Sequence, residues 1–294
     1  MKRRIIDGAL RVVPAVVAIV GLCGLYEGYR RMGLATDDQW PLIGGDLPVK
    51  TNAITMPALS DIVARFFEPQ QRRSGTTVLE AVLQGSWYTL RISLAGFVMG
   101  ALIGMALAIV MLRSKLLEKG ILPWIIVSQT IPLLALAPVI VTWGNRVEVV
   151  DWQPWMSVSL IATYLTFFPV AVNGLRGLQS PPSHSIELMD SYAATRRQTL
   201  MKVRLPGAVP FLIPALKLAA AASIIGSIVG EISIGLSGGV GRLILGYAQQ
   251  AQTDPPKMYC AIIGAGLLGL VFTSAVGSLE RLMPGSGRRS EMSL

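Results

Sequence analysis

Few residues of this 294-residue chain have the types and spacing that chemistry needs. Its one histidine, His184, stands in the polar stretch QSPPSHSIE with no cysteine or second histidine nearby. Neither a zinc site nor a Ser-His pair is indicated, and His184 reads as an ordinary loop residue. The two cysteines, Cys23 and Cys260, lie in or beside apolar blocks without metal or disulfide spacing, so both read as small packing residues. The glycine cluster GLSGGVGRLILG, residues 235–246, invites comparison with a phosphate-binding loop, yet it lacks the Lys-Ser/Thr ending and follows no strand. It is expected to be a flexible outer loop. No catalytic residue, metal ligand or cofactor site is expected, so the chain does not read as an enzyme. Any ATP-driven work must come from a partner.

What remains is the chemistry of polar groups set against apolar sequence. Residues 186–231 begin as a charged helix carrying Glu187, Asp190, Arg196, Arg197, Lys202 and Arg204, then become almost purely apolar after Leu205-Pro206. Pro181 and Pro182 end whatever precedes, and residues 184–204, with neither Pro nor Gly, read as helical. Lys217 falls about three turns into the apolar part, at ~3.6 residues per turn, and Glu231 at its far end. A central charge in a bilayer costs about 2.5–3.5 kcal/mol on insertion scales and turns toward a cavity or partner. Gln129 and Asn173 are neutral groups in other apolar blocks, a type that often hydrogen-bonds between helices. Gln129, Asn173, Lys217 and Glu231 are the candidates for lining a translocation pathway. For Lys217 the competing reading is snorkelling to the inner headgroups.

The elements that must position these groups are membrane spans. Charged residues are 15% of the chain, against roughly 25% in soluble domains. The apolar residues arrive in blocks near twenty long, the length that a hydrocarbon core of about 30 Å demands of a helix. The chain reads as all-α and polytopic, with about six transmembrane helices near 10–26, 90–112, 122–143, 155–175, 206–229 and 259–279. No small-x-small cleavage site follows the first block, which is therefore expected as an uncleaved span. The expected organisation is an N-terminal span within 1–30 and an external loop over 31–89. A core over 90–280 follows, with a cytoplasmic loop at 176–206, and a tail over 281–294. In the external loop, residues 56–67 are expected to form a short amphipathic helix capped by Ser60. Pro132 and Pro138 are expected to kink the third span, and Gly100 with Gly104 to serve close helix packing.

Orientation follows from Lys and Arg in the short loops. One side receives Lys2, Arg3, Arg4 and Arg11, then Arg113, Lys115 and Lys119, then segment 176–206, then Arg281, Arg288 and Arg289. The opposite short loops hold Arg146, Arg242 and Lys257. Both termini are thus expected in the cytoplasm, and the formal charge of +9 belongs to a basic cytoplasmic face rather than to a nucleic-acid partner.

Read in order, ELMDSYAATRRQTLMKVRLPGAVP, residues 187–210, resembles the EAA loop of the membrane subunits of bacterial ATP-binding-cassette importers. That loop carries E-A-A, then a glycine, then L-P. Glu187 falls on the motif glutamate, Leu188 and Met189 replace the two alanines, and Ala193 falls on the glycine. Ala194, Thr195, Arg196, Arg197, Lys202, Leu205 and Pro206 follow in register. Alanine carries a Cβ penalty in left-handed backbone that glycine avoids. SQTIPLLALAPVIVTWG (128–144), LKLAAAASIIGSIVGE (216–231) and TDPPKMYCAIIGAGLLG (253–269) are similar to the nitrate, sulfonate, taurine and pyrimidine-precursor branch of these permeases. The resemblance covers about 56–279.

The resemblance implies a type I importer permease fold in a bacterial inner membrane. The partners it implies are a second copy of this chain, two copies of a cytoplasmic ATPase, an extracytoplasmic solute-binding protein and membrane lipid. ATP and Mg²⁺ would sit in the ATPase. Glu187 and residues 193–206 would form the coupling helix that docks on it, with Pro206 opening the attached span, since proline at a helix start loses no needed donor. A secondary carrier or channel is the alternative. It would display similar halves, and no convincing repeat relates 90–175 to 206–279. A membrane scaffold protein is a third possibility.

A cysteine placed at Ser183 in the cysteine-free chain is expected to be shielded from an impermeant thiol reagent added outside intact cells, and one placed at Ser237 to be labelled. The reverse pattern would invert the orientation.

Overall fold

The computed structural model describes the backbone of residues 2–39, 45–71, 75–144, 146 and 151–282, and the side chains of these except 2–13, 15 and 280–282. The expected tail lies outside the described residues beyond 282. The helices are α1 (Lys2–Ala35), α2 (Leu59–Phe67), α3 (Val78–Leu112), α4 (Lys115–Ser128), α5 (Leu133–Gly144) and α6 (Pro154–Gln179). They continue as α7 (Ser183–Ser191), α8 (Arg196–Thr199), a π-helical turn (Leu200–Arg204), α9 (Leu205–Ile234), α10 (Val240–Gln249) and α11 (Pro255–Leu282). Among the described residues no strand forms; the pairs Gln39–Asp46 and Pro69–Thr77 are isolated bridges.

Among the described residues, four helical segments have the length and hydropathy of a span, and the bent pair α4–α5 counts as a fifth if it is one span. Six were expected. The first expected block lies wholly inside α1, where the side chains of residues 10–13 and 15 fall outside those described. α3 starts at Val78, so residues 78–89 are helix rather than loop. Its start is written locally: Thr77 Oγ1 accepts from the Glu80 amide at 3.2 Å, and Glu80 Oε2 accepts from the Thr77 amide at 3.0 Å. This is a capping box.

Contacts divide the chain into two units, Met1–Ala81 with Gly246–Ile262, and Val82–Leu245 with Ile263–Leu294. The first holds α1, α2 and the connections around them. Arg65 on α2 forms an ion pair with Asp254 at 2.7 Å, and the neighbouring carboxylate holds its guanidinium pKa above the ordinary value. Cys260 is buried and its Sγ donates to the Ile62 carbonyl at 3.4 Å, as suits a packing residue. Cys23 differs: it is exposed on α1. α2 is also shorter than expected. Its N-cap is Ala58, without a side-chain cap, and Ser60 lies inside the helix with its hydroxyl donating to Asp61 Oδ1 at 3.2 Å.

In the second unit α6 is the central helix, its buried residues spread along its length. α3 meets it through glycines four residues apart. A Cβ on Gly96 would lie 2.5 Å from Ala162 Cβ, one on Gly100 would lie 2.5 Å from Thr166 Cβ, and one on Gly104 would lie 2.5 Å from the Phe167 carbonyl oxygen. The helix backbones therefore touch. α9 packs on α6 in the same manner at Gly226, where a Cβ would lie 3.0 Å from Ala162 Cα. The apolar core at one end joins Met111, Ile125, Leu175 and Leu178, and α11 packs Leu268, Phe272 and Val276 against Ala220 and Ile224. Phe97 and Phe272 meet edge to face at 5.4 Å.

Gly100→Ala is expected to lower stability by about 1–3 kcal/mol, because the added carbon meets backbone that cannot yield. Gly266→Ala, where a Cβ meets open space, serves as the control and should leave stability unchanged or raised. Thermal unfolding of the detergent-solubilised chain checks both.

Candidate functional site

The charged segment expected as one helix over 184–204 is two helices joined by a sharp corner. α7 ends in a Schellman motif: the Ala194 amide donates to the Met189 carbonyl at 2.9 Å and the Ala193 amide to the Asp190 carbonyl at 2.9 Å. This geometry requires a left-handed residue, and Ala193 supplies it at φ 50°. The alanine thus makes the turn that a glycine would make, at the cost of Cβ crowding. Two residues on, Thr195 caps α8 through a capping box: its Oγ1 accepts from the Gln198 amide at 3.3 Å, and Gln198 Oε1 accepts from the Thr195 amide at 2.7 Å. His184, expected in a loop, lies exposed in the first turn of α7.

Pro206 does not open a fresh helix. Residues Arg196–Ile234 form one helical segment of 39 residues. A proline inside a helix removes a donor and clashes with the carbonyl four residues back. Here the turn over Leu200–Arg204 widens to π geometry, and the Leu205 amide donates to the Leu200 carbonyl. The extra residue in that turn lets the helix continue through Pro206. The junction is fastened to the end of α6, where Arg204 Nη1 donates to the Leu178 carbonyl at 2.9 Å and Ser180 Oγ to the Gly207 carbonyl at 3.2 Å.

Glu187, Ala193, Thr195, Arg196, Arg197, Lys202 and Pro206 are exposed; Ala194 and Leu205 are half-buried. Three apolar side chains that the motif did not single out are exposed beside them: Leu188, Tyr192 and Met201, with Tyr192 79% accessible. Large apolar residues in open view on a charged segment mark a contact surface. The signal available in sequence was their place in a segment otherwise rich in charge.

The four membrane candidates have different surroundings. Gln129 sits at the break between α4 and α5, whose axes differ by 101°. This is a sharper event than the kink expected of Pro132 and Pro138; Pro132 falls in the break and Pro138 inside α5. Around the break, Thr130 Oγ1 donates to the Val127 carbonyl at 2.8 Å, Ser128 Oγ to the Ile125 carbonyl at 2.7 Å, and the Tyr164 hydroxyl to the Ser128 carbonyl. The Val127 and Ser128 carbonyls also accept from the Thr130 amide at 3.0 Å and the Ile131 amide at 3.3 Å, so the last turn of α4 closes in tightened backbone bonds that the hydroxyls reinforce. Asn173 Nδ2 donates to the Pro169 carbonyl one turn back at 2.9 Å. The Lys217 chain lies along Gly277 of α11, whose missing Cβ leaves room for it.

Glu231 is fully buried. Its Oε1 accepts from Thr89 Oγ1 at 2.7 Å and its Oε2 from the Gly241 amide at 2.8 Å, while Thr89 Oγ1 in turn accepts from the Val240 amide at 2.9 Å. One carboxyl group thereby ties α3, α9 and the start of α10 together. The glycine cluster is correspondingly not a flexible loop: Val240–Gln249 is α10, and Gly239 and Gly241 are bare where the Glu231 carboxyl lies against the backbone. Thr89 was not foreseen, because its pairing with Glu231 spans 142 positions.

The family model described as binding-protein-dependent transport system inner membrane component matches residues 100–284. The chain is 31% identical over 195 residues to the formylaminopyrimidine transport permease protein ThiX of Halalkalibacterium halodurans, covering 66% of this chain and 74% of that one. It is 28% identical over 223 residues to the nitrate import permease protein NrtB of Leptolyngbya laminosa, covering 74% of each. Among solved structures, an inward-facing MetNI methionine ABC transporter aligns with a TM-score of 0.60 at 20% identity, over 69% of this chain and 95% of that one.

Ala193→Gly is expected to stabilise the corner by about 1 kcal/mol through relief of the left-handed Cβ crowding, and Ala193→Val to destabilise it by more than that. Amide hydrogen exchange of α7 and α8 in the two variants checks the sign.

Proposed function

This chain belongs to the family of binding-protein-dependent transport system inner membrane components, and we propose that segment 183–204 is where a separate ATPase grips it. The chain is a multi-pass, all-α permease subunit of an ATP-binding-cassette importer, with the type I fold. The observation that carries the proposal is the continuous helix from Arg196 to Ile234. Force applied at the exposed Arg196 and Arg197 travels into the membrane along hydrogen-bonded backbone, without a linker to absorb it. α7 and its corner present Glu187, Leu188 and Tyr192 beside them, a mixed apolar and charged face of the kind that anchors a protein contact.

In this reading both termini and segment 183–204 are cytoplasmic. Two ATPase subunits, holding ATP and Mg²⁺, act on two copies of this chain, and an extracytoplasmic binding protein delivers the solute. The solute is small and polar, of the nitrate, sulfonate, taurine or thiamine-precursor pyrimidine type, a choice supported by what the relatives are named for. Gln129 at the α4–α5 break is the best-placed of the pathway candidates, since non-helical backbone at membrane depth is tolerated where it meets protein or a water-lined cavity. Asn173 follows from its half-buried position. Glu231 serves the pathway indirectly, by fixing α9 to α3 and α10. Lys217 packs along α11, which favours anchoring over solute contact.

The double variant Arg196→Glu/Arg197→Glu, and separately Tyr192→Ala, should weaken association with the ATPase on the order of tenfold or more and abolish uptake, with insertion in the membrane retained. Co-purification and vesicle uptake measure the two effects. Survival of both association and uptake in the double variant sinks the assignment.

A further inference from the structure

Beside the proposed ATPase contact lies a cleft of about 740 Å³ that this contact does not explain. Four arginines from separate elements converge on it: Arg113 just past the end of α3, Arg196 and Arg197 on α8, and Arg204 in the π-helical turn. The lining holds one acidic group, Asp190, which forms no ion pair with any of them among the described residues. Arg204 is committed to the Leu178 carbonyl. The guanidinium groups of Arg113, Arg196 and Arg197 make no hydrogen bond or ion pair among the described residues. Like charges gathered around one concavity repel unless an anion lies between them. Guanidinium forks match the oxygens of a phosphate better than those of any other common anion except a carboxylate.

Apart from Thr199 the rest of the lining is apolar. Ile109, Leu112 and Leu200 continue the arginine cluster into the greasy end of α3 and the π-helical turn. Arg113 follows directly on the apolar run of α3, so the cluster borders the end of a membrane-spanning helix, with Ile109 and Leu112 as an apolar wall on its membrane side. A soluble anion would have no use for that wall.

We propose that the cleft binds the phosphate headgroup of an anionic phospholipid of the cytoplasmic leaflet, with the arginines on the phosphate and an acyl chain along Ile109, Leu112 and Leu200. The site rests on the orientation given above, which puts this face in the cytoplasm. Basic pockets between helices on the cytoplasmic side are suited to such headgroups. Because Arg196, Arg197 and Arg204 belong to the same helix as the lever, a lipid seated here holds the α8 end of that helix against the end of α3. Arg196 and Arg197 then serve both contacts, while Arg113 belongs to the lipid alone.

The test uses the detergent-solubilised full chain without ATPase, so that a failure of the ATPase assignment leaves its outcome untouched. Short-chain phosphatidylglycerol, short-chain phosphatidylcholine and inorganic phosphate are titrated separately, with binding read by native mass spectrometry and by the thermal unfolding midpoint. Saturable binding of phosphatidylglycerol that raises the midpoint is expected, with phosphatidylcholine and phosphate both much weaker. Arg113→Gln should weaken phosphatidylglycerol on the order of tenfold, the loss of one charge-assisted contact. Arg113→Lys, which keeps the charge, should retain most of the binding and guards against a folding defect in the glutamine variant. Equal binding of phosphatidylcholine, or no effect of Arg113→Gln, overturns the proposal. Phosphate binding as tightly as phosphatidylglycerol makes the site one for a soluble anion and overturns the lipid assignment. Absence of saturable phosphatidylglycerol binding to the unaltered chain overturns the proposal as well.

Discussion

Helical continuity through Pro206 is the constraint on which the rest of this protein depends. A bilayer offers no water to satisfy a broken backbone, so a helix must either stay intact or expose its freed groups to protein. Proline threatens this twice, by its missing amide and by its ring. The chain answers with one extra residue in the turn before it, and the Leu205 amide reaches back to Leu200. The geometry of residues 183–204 rests on that local solution. The corner at Ala193, the capping box at Thr195 and the arginines of α8 would be a loosely tethered loop if the turn over Leu200–Arg204 gave way.

The α4–α5 pair shows the opposite choice. There the chain does break, by 101°, and meets the same constraint with side chains. Hydroxyls of Ser128, Thr130 and Tyr164 reinforce carbonyls of the last turn of α4, of which Val127 and Ser128 keep an amide partner three residues on. Glu231 does related work at the other end of α9, where its two oxygens receive Thr89 and the Gly241 amide. Among the described residues a second buried pair, Ser93 with Ser227 at 2.8 Å, likewise joins two helices through side chains. Such pairs fix which helix lies beside which, more than they add net stability.

How much of this was legible in the sequence depends on how local the cause is. The order Glu187, Ala193, Arg196, Leu205, Pro206, all close together in the chain, was enough to set this segment apart by its resemblance, although it read as one helix and the corner at Ala193 was missed. Gly100 and Gly104 were readable for the same reason: helix periodicity places them on one face, and the structure sets that face on α6. The Glu231–Thr89 pair was not readable, since nothing near either residue announces a partner so far along the chain. The glycine cluster was misread as flexible because glycine's freedom and its lack of bulk leave the same mark in sequence. Here the lack of bulk is what matters, at Gly239 and Gly241 against a carboxyl group. The Ser60 cap failed on a smaller scale: α2 starts two residues earlier, after Ala58. The π-helical turn had a visible cause in Pro206, yet proline serves equally well as a first-turn residue, and only the fold distinguishes the two.

The glycine contacts along α3 have a mechanical consequence. Two helices that meet through side chains can slide past each other by small rotamer changes, which is how packed helices shear. Where Gly96, Gly100 and Gly104 bring backbone to backbone, no such cushion exists. A lateral slip would drive the Cα atoms of α3 over the carbonyl of Phe167 and the side chains of Ala162 and Thr166. α3 and α6 are therefore geared to one another, and in any transport cycle they must travel as a single stiff plank, leaving deformation to segments that lack this interlock.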